Sequence, residues 1–120
     1  MALDFSKQVQ EALADYQNDV VKIVQKEVPA VGREAAKKLR SDSPRKTGRY
    51  AKGWASESEI TRLGASSRVY GKSGTYQLAH LLEHGHAKRG GGRVAPIVHI
   101  QPVEDWAAEE VESRIVRGLL

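Results

Sequence analysis

Phe5, Val9, Leu13, Tyr16, Val20, Val24, Val28, Val31, Ala35 and Leu39 recur at steps of three and four, with Lys, Asp, Gln and Glu filling the remaining positions. Such spacing places one apolar stripe along one face of an α-helix. Asp4 or Ser6 is placed to cap its start. Pro29 lacks an N–H and crowds the preceding turn, yet the stripe keeps its phase across it. The pattern therefore predicts one long helix kinked near Pro29, or two helices nearly collinear. A single stripe of this length implies core packing against a partner element or a contact between subunits.

Ser41-Asp42-Ser43-Pro44 ends the helix, because Pro44 biases Ser43 out of the helical region. Thr47 is placed to cap a short turn running to about Lys52, which displays Arg45, Lys46, Arg49 and Lys52 as a basic knuckle. Two strands are expected next, Trp54 to Thr61 and Ser67 to Tyr70, joined by a turn around Gly64. After a loop over Gly71 to Gly74, Thr75 caps a helix through Glu83, and Gly85 fits the left-handed position that stops it. His86 to Arg93 then reads as a mobile loop carrying Lys88, Arg89, three glycines and Arg93. Val94 to Ile100 reads as an edge strand, since Pro96 interrupts it. Pro102 is placed to open the last helix. Its stripe is Val103, Ala107, Val111, Ile115 and Leu119, with Trp106 alongside; Glu104 and Asp105 are expected in its first turn and Arg117 in its last, matching the helix dipole at both ends. The sum is a single α+β domain over residues 1–120. It has a long N-terminal helix, a small antiparallel sheet with a short helix, and a C-terminal helix packed on it.

Composition changes this picture little. The chain has 120 residues, 40% hydrophobic and 28% charged, as expected of one folded domain. It has no cysteine, which removes disulfides, thiolate metal sites and cysteine nucleophiles. No apolar run approaches the roughly 20 residues of a membrane helix, and the first residues do not begin a signal peptide. A soluble, unsecreted protein is expected. Charge changes more. From Lys37 to Arg93 there are 13 Lys and Arg against 4 Asp and Glu, a local balance of +9. The remainder holds 6 basic and 11 acidic residues, a balance of −5. A basic centre between acidic ends suits contact with nucleic-acid phosphate or an acidic protein surface, and suits plain solvated surface as well.

Three chemical readings compete for the central segment. His80-Leu81-Leu82-Glu83-His84 matches the H-x-x-E-H pattern of inverted zinc peptidases, in which two histidines one turn apart bind zinc and the glutamate is the base. His86 and His99 are candidate further ligands. Against it stand the shortness of the pattern, the helix stop at Gly85, and a chain with little room for a cleft and a second shell. Gly90-Gly91-Gly92 lacks the spacing of a phosphate loop. The basic centre with Tyr50, Trp54 and Tyr70 suits a small nucleic-acid-binding protein, but no helix-turn-helix, RNP or KH signature is present.

The third reading is a resemblance. Ser43-Pro44-Arg45-Lys46-Thr47-Gly48-Arg49-Tyr50 resembles the P-x-x-T-G-x-L segment of the HK97 gp10-like proteins, which are tail-completion or neck proteins of tailed bacteriophages. Tyr50 stands where the family more often has leucine. His80 to His86 resembles the family's hydrophobic-E-x-G segment, and Pro96 to Pro102 its P-x-hydrophobic-x-P stretch. The resemblance implies an α+β fold, no catalysis and no cofactor. It also implies a structural role in joining the phage head to its tail, as a ring around the DNA passage that is often hexameric once assembled. Neck or head-completion proteins and tail tube or tail terminator proteins are the partners it implies, within a virion made in the bacterial cytoplasm. Pro44, Thr47, Gly48, Glu83, Gly85 and Pro102 are then the family-motif positions, with Glu83 a polar anchor beside a helix stop. Lys88, Arg89 and Arg93 become an assembly or DNA-facing loop.

Overall fold

A computed structural model describes residues 4–45, 48–72 and 75–120. The expected stripe forms one helix, α1 (Ser6–Asp42), which runs through Pro29 without interruption. Of the two arrangements expected, the single helix is the one formed. Pro29 itself is buried. Asp4 assists the start: its Oδ1 accepts the Ser6 N–H at 3.0 Å, and Phe5 takes the N-cap position. At the other end Ser43 is extended (φ −71°, ψ 149°), as a residue before proline should be.

A single turn, α2 (Arg49–Lys52), follows Gly48, whose φ of 81° supplies the left-handed entry. Thr47, the expected cap, and Lys46 lie outside the described residues. β1 (Trp54–Thr61) and β2 (Gly64–Gly71) pair antiparallel, Trp54 opposite Gly71 and Thr61 opposite Gly64. The second strand is therefore longer than expected, and the turn is Arg62-Leu63 rather than Gly64. Gly64 instead opens β2 and rests over α1, where an added Cβ would stand 3.8 Å from Val24, an ordinary van der Waals contact.

α3 (Thr75–His84) begins at Thr75 itself. Beyond Gly85, β3 (His86–Ala87) pairs with β4 (Arg93–Val94), so the glycine-rich loop is a hairpin closed by two residue pairs. Of the edge strand expected over Val94 to Ile100, only Val94, in β4, is in a strand. Residues 95–99 carry no ladder, because Pro96 has no N–H to offer one. The last helix, α4 (Ile100–Leu119), starts two residues before Pro102. Its first turn consequently contains no acidic side chain, and Glu104 and Asp105 fall one turn later than expected.

α1 is the spine, and two elements lie along it. α4 runs antiparallel to it: Val103 joins the core cluster with Ala35 and Leu39, Arg114 pairs with Glu27 and Glu34, and Gly118 meets Ile23. The β1–β2 hairpin lies on another side and reaches back to Gln25, whose amide donates to the Thr61 carbonyl at 2.6 Å. The core of Ala35, Leu39, Tyr50, Trp54, Ala79 and Val103, with Val69 packed against it, sits where the four helices and the β1–β2 hairpin meet. Both partners stop short of the start of α1. At about 1.5 Å per residue the 37 residues of α1 span roughly 55 Å and the 20 of α4 roughly 30 Å. The overhang shows in an outline of 87 × 24 × 21 Å. It corrects the packing expected of the stripe: Val31, Ala35 and Leu39 are buried, whereas Phe5, Val9, Leu13 and Tyr16 are exposed.

Gly32 sets how closely the hairpin seats on the spine. A Cβ there would stand 1.8 Å from Ser67 Oγ and 2.9 Å from its Cβ. Gly32→Leu is expected to cost about 3 kcal/mol by overpacking, read as a lowered urea midpoint. A variant that unfolds with the parent would show that the hairpin does not rest on the helix there.

Candidate functional site

Two of the buried polar residues, Glu83 and His99, meet at the start of α4. α3 presents Glu83 inward from its last turn, and Gly85 stops the helix with φ 72°. Gly85 also has no room for a side chain, since a Cβ would lie 2.5 Å from the Val94 carbonyl oxygen. The chain thus reverses, and Ile97 donates its N–H to the Leu82 carbonyl at 2.7 Å. That return brings the start of α4 to Glu83. Its Oε1 accepts the backbone N–H of His99 (2.8 Å) and Ile100 (2.9 Å), and its Oε2 that of Gln101 (3.0 Å). A helix leaves its first N–H groups without internal partners and carries partial positive charge there. One carboxylate, from another helix, answers both needs.

His99 extends the network. Its Nδ1 lies 2.7 Å from the Ile97 carbonyl oxygen and 3.1 Å from Glu83 Oε1, both acceptors, and its Nε2 lies 2.6 Å from Tyr50 Oη. Nδ1, facing two acceptors, carries a proton and donates, and Nε2 and the Tyr50 hydroxyl share the remaining hydrogen bond. Tyr50 stacks edge-on against both Trp54 and His99. The Trp54 indole N–H donates to Ser43 Oγ at 2.9 Å, and that hydroxyl donates onward to the Leu39 carbonyl. The ends of α1, α2, α3 and α4 are joined in this way through polar contacts.

The titration behaviour follows. Burial pushes the Glu83 carboxyl up, but the three backbone N–H donors and nearby His99 outweigh it and hold its pKa below the ordinary 4.5. Burial, with a smaller contribution from the Glu83 charge, pushes the Tyr50 phenol up to about 12, so it remains a donor. A second polar cluster pins α4 along α1: Arg114 meets Glu34 at 2.7 Å, Glu110 at 2.9 Å and Glu27 at 3.6 Å. The hydrogen bond from Arg114 holds Glu34 below the usual carboxylate range.

The histidine motif resolves differently from its zinc reading. His80 and His84 do share a face of α3, with ring centroids 4.8 Å apart, and both are exposed. Glu83 points the other way in function, its oxygens committed to three backbone donors, and both nitrogens of His99 are engaged. Among the described residues no three His, Asp or Glu side chains group as a metal site. The basic residues are distributed. Lys88 and Arg89 sit at the tip of the β3–β4 loop, while Arg93 at its root donates to the His84 carbonyl, the C-terminus of α3, at 3.3 Å. Arg45 donates to the Arg40 carbonyl at 3.0 Å, and Arg49 and Lys52 are exposed on α2. Pro44 is half-buried at the end of α1, and Pro102 is exposed in the first turn of α4. Sequence reasoning singled out Glu83 and Gly85, but named His99 only as a candidate metal ligand and Tyr50 only as a motif position and candidate stacking residue, not as members of one network with Glu83. A histidine three residues before Pro102, at a helix start, was the available signal.

Because its folded pKa is lowered, Glu83 contributes stability that is full above about pH 4.5 and is lost as pH falls through the folded value. Glu83→Gln offers one acceptor oxygen where two serve three donors, and is expected to cost about 2 kcal/mol at neutral pH. Urea midpoints should show that cost shrinking towards pH 3. A pH-independent difference would remove the charge from the account.

Comparison with protein-family models matches residues 4–85 to a family described as bacteriophage HK97-gp10 and assigned provisionally as a tail component. The comparisons with curated proteins and with solved structures found no match. The match covers well over half of the chain, from the start of α1 through α2, the hairpin and α3 to the Glu83–Gly85 turn, and the chain therefore belongs to the HK97-gp10-like family of phage tail components.

Proposed function

We propose that the protein joins the phage head, through its connector or neck, to the tail, as a non-enzymatic ring around the DNA passage, most simply a hexamer once assembled. The observation that carries this reading is the family match over residues 4–85. The architecture supports it. A body pinned by the Glu83 network presents a long arm with an apolar stripe, and subunits that assemble need such surfaces. Partners are further copies of the chain, a neck or head-completion protein, and a tail tube or terminator protein, in a virion built in the bacterial cytoplasm.

In this reading the Lys88 to Gly92 tip orders on a partner or on passing DNA. It bears two cations and three consecutive glycines, of which Gly91 and Gly92 already hold positive φ. A basic lining would contact phosphate without reading sequence. A small nucleic-acid-binding protein remains the runner-up, and salt-sensitive DNA binding by the free chain would favour it. The zinc hydrolase reading has less support, because Glu83 would have to leave three backbone donors to act as a base.

Inactivating the gene in its phage should leave filled heads and separate tails by electron microscopy. Joined, infectious particles would overturn the proposal. Neutralising Lys88, Arg89 and Arg93 together should lower infectious yield at least tenfold. Neutralising Lys88 and Arg89 alone, which leaves the Arg93 bond to His84 in place, should lower yield without lowering the unfolding midpoint of the purified chain. An unchanged yield would remove the basic loop from the role.

A further inference from the structure

The overhanging arm of α1 carries more than an apolar stripe. At about 100° per residue, Phe5, Val9, Leu13 and Tyr16 fall on one face, and Asp4, Glu11, Asp15 and Asp19 form a ridge along one flank of it. Against Lys7 alone, residues 4–20 have a balance of −3. Phe5, Leu13 and Tyr16 are each about 60% exposed, so this surface is uncovered within one chain.

A surface of opposite character lies at the far end of the molecule, around the Glu83 anchor. Leu78 and Leu81 stand exposed one turn apart on α3, and Val94, Ile97 and Val98 are exposed on the segment that returns beside it. The Ile97–Leu82 backbone bond ties that segment to α3. Lys88, Arg89 and Arg93 border it, and the only acidic residue between Thr75 and Val98, Glu83, is buried. Ile60 and Leu63 at the hairpin tip are exposed as well, but have Glu59 and Arg62 beside them and offer no matching charge.

We propose that the acidic apolar arm of one copy docks on this basic apolar surface of a second copy. The contact is head-to-tail: each chain offers its arm to one neighbour and its α3 surface to another. The arm cannot reach the patch of its own chain, because α1 is a continuous helix leading away from it. Head-to-tail contacts close into rings or propagate, whereas an arm paired with an identical arm would stop at a dimer. The inference rests on the self-assembly in the joining role and assigns the surfaces that carry it.

The natural absence of cysteine makes the test direct. Leu13→Cys and Leu81→Cys chains, both changes at exposed positions, are mixed and treated with a short thiol–thiol cross-linker. This is done with purified chains at high concentration and with particles assembled from both variants. A product joining the two different variants in either setting is expected. Glu11→Lys with Asp15→Lys on the arm should cut its yield at least tenfold, and Lys88→Glu with Arg89→Glu on the other chain should restore it. A dominant Leu13→Cys self-product, no mixed product in either setting, or no restoration by the charge exchange would overturn the interface. Particle joining is scored separately by electron microscopy, so loss of this interface with joining intact would leave the joining role standing.

Discussion

The fold depends on a carboxylate placed against the start of a helix. Three N–H groups at the beginning of α4 have no partner within that helix, and burying them bare would cost about 1–3 kcal/mol each. Glu83 receives all three from the end of α3, with a full negative charge at the positive end of the α4 dipole. That single side chain fixes the separation of two helices that are joined only by a glycine-rich hairpin and an extended segment. Gly85 makes the approach possible, since any side chain there would strike the Val94 carbonyl. His99 and Tyr50 then connect the anchor to α2 and through Trp54 to the end of α1.

The anchor also explains how one short motif supports two incompatible chemical readings. In this chain His80 and His84, one turn apart, face outward, while Glu83 is turned inward by the backbone donors at the start of α4. In a peptidase the glutamate would need access to water. Here it faces backbone donors, and its lowered pKa follows from that architecture rather than from catalysis. A perturbed carboxyl is often taken as a sign of function; in this chain its cause is structural.

The division of α1 into a packed half and a projecting half gives the molecule its two characters. From Val20 onward the stripe has the hairpin and α4 against it, secured by Gly32 beneath Ser67 and by Arg114 among Glu27, Glu34 and Glu110. The end of α4 reaches as far as Tyr16 and Asp19, and before them the same periodic pattern continues with Phe5, Val9 and Leu13 exposed. A helix of this length is marginal alone, so the packed half serves as the root that holds the projecting half helical. The acidic ridge on the arm and the basic rim of the α3 surface place opposite charges at opposite ends of an elongated body.

What the sequence by itself determined is what local periodicity and turn chemistry encode. The 3.6-residue stripes of α1 and α4, the Ser43-Pro44 stop, the left-handed Gly85 and the order of elements were all legible, because each depends on neighbours a few residues away. The resemblance that placed the chain in its family rested on those same local motifs. The tertiary structure decided the rest. Whether Leu13 is buried or exposed depends on how far α4 and the hairpin reach along α1, and the stripe itself carries no mark of that boundary. Glu83 and His99 could be read as metal ligands until the reversal at Gly85 brought them to one helix start. A side chain's chemistry is set by what surrounds it, and for these residues the surroundings come from segments 16 to 49 positions away.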